Sequence, residues 1–271
     1  MEVGKMLNGA LYKREMKGSV KLLLILGAVI TLYVAVIISM YEPKLAELLD
    51  SYVELLPGIM AAVGMTAGAT SLIGFMCSYL YGFILLIFPM LFCILRGNGL
   101  IAKYVDNSSM VGLLAAPVKR RTVAFTQMMV LVSGILILVV YSTILEIVCA
   151  EYYFPGELDI TTLLVINSGL FCLHLFMGGI CFLASCAFSD AKYSIGVGAG
   201  IPILMYVFKM LANMGGKAEK VKYVTFFTLF DPEGLVAGES GALAGILVLL
   251  VGGIALFLLG ISIFNRKDLH I

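Results

Sequence analysis

Six runs of this chain are long, apolar and almost free of charge, and they leave few ways for it to fold. They cover residues 22–40, 71–95, 123–147, 163–188, 194–214 and 242–264. Each is near the roughly 20 residues that a bilayer-spanning helix needs. Hydrocarbon offers the backbone no water, so a spanning segment must satisfy its own hydrogen bonds, as a helix does. Continuous apolar character, without strict alternation, argues against a barrel. A mean hydropathy of +1.06 with only 13% charged residues excludes an ordinary soluble domain. The expectation is an all-α polytopic membrane protein, a single domain over 1–271 with six regular transmembrane helices. The first run is too long, and too poor in small-residue cleavage sites, for a removable signal, and reads as a permanent helix.

Charge sets the orientation. The net charge is only +1, yet 13 of the 18 lysines and arginines fall on one side if both termini, the 96–121 insert and the 189–193 turn share it. The other side keeps Lys44, Lys209, Lys217, Lys220 and Lys222, and most of the acids. The positive-inside rule then places the basic side, with both termini, in the cytoplasm.

Between the spans the chain carries short segments. Residues 1–19 set Val3, Met6, Leu7, Ala10 and Leu11 among Lys5, Lys13, Arg14 and Lys17, the spacing of an amphipathic helix lying in the inner interface. Residues 41–70 read as one or two short external helices, with helical periodicity over 43–50 and glycines 58, 64 and 68 breaking it. The external 215–241 segment holds an apolar run, 223–230, too short to span and ended by Asp231 and Pro232. The insert 96–121 is cytoplasmic in this topology. Asp106, Asn107 and Ser108 are good N-cap residues, Met110, Val111, Leu113 and Leu114 supply an apolar face, and Pro117 discourages further helix. A two-turn helix results, and its apolar face suits either the membrane interface or docking to a partner.

The motifs of several enzyme classes are missing. The sequence holds no G-x-x-x-x-G-K-[ST] phosphate loop, no H-E-x-x-H pair, no G-x-S-x-G elbow and no aspartate within a span. The expectation is a chain without catalytic residues, metal or cofactor of its own. None of the six cysteines (77, 93, 149, 172, 181 and 186) has a paired zinc or redox spacing, so they read as small packing residues. Glu146 and Lys209 sit near the outer ends of the third and fifth spans, where an ionisable group is costly. Snorkelling to the interface explains both; the sharper alternative is that they pair across the bundle or line an outer vestibule. His174 has no ligand partner in sequence and reads as a hydrogen bond to a neighbouring helix. Gly178, Gly179, Gly196, Gly198, Gly200, Gly252 and Gly253, and the Gly241/Gly245 pair, suit close helix contact.

Three stretches carry a resemblance. A basic helix leads into the first span. The insert runs Ala102-Lys103-Tyr104-Val105-Asp106 and then Ser108-Ser109-Met110-Val111-Gly112-Leu113-Leu114-Ala115-Ala116-Pro117-Val118-Lys119-Arg120. The chain closes on Phe264-Asn265-Arg266-Lys267-Asp268-Leu269. Together they resemble the permease subunit of ABC-2 type transporters, whose insert reads "AKE…GTLELLLA-PVSR"; Ser108 stands where the family usually has glycine. The resemblance implies a plasma-membrane permease of a bacterial cell, paired as a homodimer or heterodimer. It also implies two separate cytoplasmic ATPase subunits that bind ATP and Mg, and an exporter's activity. It makes the insert a coupling helix, with Asp106, Ser109, Met110, Leu113, Leu114, Pro117 and Arg120 toward the ATPase. Rival readings are a stand-alone secondary transporter or channel, and a mechanotransmission subunit without translocated substrate.

Overall fold

The computed structural model describes residues 7–41, 55–64, 71–115 and 118–267. Among them every regular element is helical. They run α1 Gly9–Ser39, α2 Pro57–Ala62, α3 Leu72–Tyr79, a π-helical turn Leu80–Ile84, α4 Leu85–Gly97, α5 Ala102–Asp106 and α6 Ser109–Ala115. Then come α7 Arg120–Tyr153, α8 Ile160–Ala187 and α9 Ala191–Asn213, two 3-10 turns at Gly216–Tyr223 and Phe226–Leu229, α10 Pro232–Val236 and α11 Ser240–Arg266. Six of these stretches are long and apolar enough to cross a membrane, and the chain is a multi-pass membrane protein.

Two spans are interior and three look outward. In the most apolar stretch, 72% of the second span and of α8 is buried, against 28% for α1 and α11 and 22% for α9. The outer faces of α1 and α11 are apolar, with Leu24, Leu32, Leu247, Val251 and Leu258 exposed, as lipid requires. α8 is the axis: it packs against α4, α7, α9 and, most extensively, α11. Lipid gives helices no hydrophobic reason to associate, so small residues that admit close van der Waals contact decide the fit. A Cβ on Gly179 would lie 3.1 Å from the Gly253 carbonyl oxygen, and one on Gly253 would lie 3.0 Å from the Phe176 nitrogen. Gly178, Gly198, Gly245 and Gly252 are equally crowded, whereas Gly196, Gly200 and Gly241 face open space.

The described part of the basic N-terminal segment differs from the expected separate interfacial helix. α1 runs unbroken from Gly9, with Asn8 capping it through Oδ1 to the Ala10 and Leu11 nitrogens. At 1.5 Å per residue its 31 residues measure about 46 Å, longer than the hydrocarbon layer, so its basic turns project beyond the bilayer core. They are held to α7 by Asn8 N–H on Thr126 Oγ1 (2.9 Å) and Tyr12 hydroxyl on Ser133 Oγ (2.9 Å), contacts that periodicity does not show. Residues 1–6, the expected external helix at 43–50 and the closing Asp268-Leu269 lie outside the described residues.

The second span also departs from the regular helix expected. The π-helical turn and Pro89 interrupt it. At the turn, Gly82 backs onto Gly64 so closely that a Cβ on either would fall 2.8 Å from the other strand of backbone. Gly64 itself lies in the turn after α2 with φ +82°, a left-handed conformation natural to glycine. The apolar run 223–230 folds onto the bundle: Phe227 and Phe230 are buried, and Thr225 Oγ1 donates to the Met205 carbonyl at 2.8 Å.

Gly134 of α7 gives the sharpest packing test. A Cβ there would lie 2.1 Å from Cζ of Phe92, itself fully buried. Gly134→Ala should destabilise the bundle by about 1–3 kcal/mol, read as a lower melting temperature in mild detergent, while Gly196→Ala should be neutral or slightly stabilising. Equal melting of the two variants would remove this contact from the core.

Candidate functional site

Polar chemistry gathers at the two ends of the bundle. At the basic end, α4 stops at Gly97 and the chain stays inside the protein: Leu100, Ile101 and Ala102 are fully buried. The 96–121 insert therefore does not begin as an exposed charged loop. Ser185 of α8 holds it there, its Oγ accepting from the Ile101 (3.3 Å) and Ala102 (2.9 Å) nitrogens and donating to the Asn98 carbonyl (3.2 Å). Asn98 Oδ1 takes the hydroxyl of Ser194 at the start of α9 (2.9 Å).

A second clamp joins the insert to α1. Arg96 donates to the Glu15 carbonyl (2.9 Å) and to Glu15 Oε2 (3.2 Å), and the Tyr104 hydroxyl donates to Glu15 Oε1 (2.5 Å). Glu15 is only 5% exposed, so its charge is answered inside the protein. A third knot closes the same end. Arg120 donates to the Lys267 carbonyl (2.8 Å), and Lys267 Nζ caps α8 at the carbonyls of Ala187 (3.0 Å) and Cys186 (3.3 Å). Partial burial lowers the Lys267 ammonium below the usual lysine range.

On this base sit α5 and α6. Asn107 Oδ1 accepts from the Ser109 nitrogen (3.1 Å), starting α6 where the cap residues predicted it. Ser108 lies between the two helices at φ +58°, the left-handed conformation that costs a side-chain-bearing residue. Two residues of the apolar face of α6 are described: Met110 is fully buried in the core, and Leu113, half-buried against it, lines a cleft with Asn8, Leu11, Val118 and Val123. The side chain of Val111 lies outside what the structure describes. The exposed face is Lys103, Asp106, Asn107, Ser108, Ser109 and Gly112. Of the residues expected to meet an ATPase, Asp106 and Ser109 are free to do so, Met110 is not, and Arg120 is engaged on Lys267. The side chain of Leu114, and Ala116 and Pro117, lie outside what the structure describes.

At the far end, Glu146 does not snorkel. It is fully buried, and its Oε2 accepts from the Tyr81 hydroxyl (3.0 Å) and from Asn167 Nδ2 (2.8 Å). Its partners come from the second span and α8, not from Lys209. Tyr81 comes from the π-helical turn and also lines a cavity of about 410 Å³. Lys209, Asn213, Thr228, Asp231 and Glu233 line the same cavity. His174 lies apart, its Nε2 3.2 Å from the Leu86 carbonyl of α4 and its Nδ1 2.8 Å from the Leu170 carbonyl of its own helix. A neutral imidazole has one N–H, so it donates to one of the two at a time. Among the described residues no cluster of three or more His, Cys, Asp or Glu could hold a metal.

Sequence reasoning passed over Tyr81, Asn167, Asn98, Ser185 and Glu15. The first four are uncharged, and a survey of ionisable residues in spans does not register them, although any polar group in hydrocarbon needs a partner. Glu15 lay hidden among basic neighbours. No family model matches the chain, and neither the curated proteins nor the solved structures contain one similar to it.

The Glu15 clamp predicts a local failure. Glu15→Ala removes the carboxylate acceptor of Arg96 and Tyr104, leaving Arg96 only the residue-15 carbonyl, and should cost about 2 kcal/mol, as hydrogen bonds to charged groups do. Hydrogen exchange should rise at residues 100–110 and stay unchanged at 160–180; uniform exchange through both segments would remove the clamp's local role.

Proposed function

We propose that this chain is the membrane-spanning permease subunit of an ATP-driven transporter of the ABC-2 type. It works as a pair of permeases with separate ATPase subunits that bind ATP and Mg²⁺, and moves its cargo outward. The observation that carries the reading is the anchored helix pair α5 and α6. It stands between the second and third spans at the basic end, with Met110 fixed in the protein's own core and a polar face of Lys103, Asp106, Asn107, Ser108 and Ser109 exposed. A helix that only floated in the membrane interface would turn its apolar face to lipid. One that transmits displacement must be stiff toward its own bundle and open toward its driver. The left-handed Ser108 adds support, since the family usually has glycine at this place.

Mechanism follows from linkage. ATP closes the motor pair, and the motor must bind two arrangements of the permease with different affinity, or ATP could not shift their populations. Displacement of α6 reaches α1 through Glu15, α4 through Arg96, and α8 and α9 through Ser185, Asn98 and Ser194. The scarcity of polar groups in the spans suits an amphipathic or hydrophobic cargo.

A second reading, a stand-alone secondary transporter, draws on one observation: the buried Glu146 beneath a charged cavity. Intramembrane ionisable groups mark ion and proton pathways. Purification of the tagged chain from its native membrane separates the two. Co-purification of a stoichiometric ATPase supports the permease; its reproducible absence from intact protein supports the secondary transporter.

Two variants refine the test. Ser109→Arg, on the exposed face, should release the ATPase from the purified complex while the chain stays folded in the membrane. Ser108→Gly should raise thermal stability by about 1 kcal/mol by relieving the left-handed conformation, with the ATPase still bound. Undiminished ATPase recovery with Ser109→Arg would move the docking surface elsewhere.

A further inference from the structure

The Glu146 trio is a buried polar cluster whose hydrogen bonds are incompletely filled. One carboxyl oxygen, Oε2, takes both donors, while Glu146 Oε1 and Asn167 Oδ1 are buried without a hydrogen-bond partner. Asn167 spends its amide hydrogens among Tyr81 Oη (2.7 Å), Glu146 Oε2 (2.8 Å) and the Leu163 carbonyl (3.3 Å). Both orphaned atoms are acceptors, so what the site lacks is a proton or a cation. No lysine, arginine or histidine of the described residues forms an ion pair with Glu146.

The composition of the site favours a proton. Hard metal cations take about six or more oxygens, and two vacant oxygens do not make such a shell. A proton on the carboxyl removes a charge that desolvation disfavours, and turns an acceptor into a donor. The vacant Asn167 Oδ1 then serves as its acceptor, directly or through one water. The groups bonded to the carboxyl are Tyr81 and Asn167, both uncharged, while Asp231, Glu233 and Lys209 lie around the cavity. α1 and α11 carry their charged residues toward the basic end.

We propose that Glu146 is a proton-binding site, loaded from the far-end cavity through the hydroxyl of Tyr81. Among the described residues, Tyr81 is the one that both lines that cavity and touches the carboxylate. It gives its hydroxyl proton to Glu146 as it takes a replacement from a hydronium ion in the cavity, so the net transfer is one proton from hydronium to carboxylate, with water left in the cavity. Protonation alters the hydrogen bonds joining the second span, α7 and α8, and so biases their packing. The site does not depend on which subunit drives the bundle, and its test uses this chain alone.

Infrared difference spectroscopy of the full-length chain in lipid nanodiscs reads the proton directly. The wild type should show a carboxylic-acid carbonyl band at neutral pH that disappears on alkalinisation and is absent from Glu146→Gln. Glu146→Asp, which keeps the acid, should shift the band, and it covers the case in which the Gln variant does not fold. Tyr81→Phe should keep the band but slow its exchange in heavy water several-fold. A folded wild type with no Glu146-dependent acid band at any pH overturns the site. Loss of the band on adding sodium at constant pH overturns it too, in favour of a cation. Unchanged exchange in Tyr81→Phe overturns the route through Tyr81.

Discussion

Water is absent where this chain does most of its folding, and each polar group inside the bundle therefore needs another polar group to meet it. That requirement sorts the helices. The spans with polar work to do, the second and α8, are those most enclosed by protein. Tyr81 and Arg96 lie within the second span, Asn98 comes directly after α4, and Ser185 and Asn167 belong to α8. α1, α9 and α11 can sit at the periphery because their outward faces ask for nothing but contact with lipid chains.

The spans were legible because hydropathy over about 20 residues is a strong signal. Five of the six expected spans begin and end within a few residues of the helices found, up to six at the outer end of α7, while the first helix begins 13 residues earlier, at Gly9. Basic turns of α1 read as an interfacial element because periodicity cannot tell a helix on the membrane from one running through and beyond it. The insert's helix was legible from its cap residues, but its facing was not. An apolar stripe on a short helix says that something covers it, and Met110 shows that the cover is the protein's own core. Glu146 was found as an expensive charge, whereas the partners that make it tolerable came only with the packing. Tyr81 reaches it because of a π-helical turn, and no residue pattern in 80–84 announces that geometry.

The two ends of the bundle are built on different terms. At the basic end the insert, α1, α7, α8, α9 and α11 are cross-tied by side chains that bond to backbone as often as to one another. Such ties fix chain paths regardless of which rotamers the neighbours choose. At the far end the polar groups surround an opening, and two of the oxygens beneath it are left over. The bundle is thus tied tightly at one end and keeps unspent bonding capacity at the other. The second span touches both.

The π-helical turn gives that span a further property. A wide turn accommodates one residue more than an α-helix would, and one residue corresponds to about 100° of rotation about the axis. The span thus presents faces that a continuous helix could not present together, Tyr81 toward the carboxylate within the joint and Arg96 toward Glu15 beyond it. Migration of such a turn along a helix rotates only the segment it passes, leaving both ends in place. The second span can in this way act as a swivel, changing what faces the cavity without disturbing its anchorage at the opposite end.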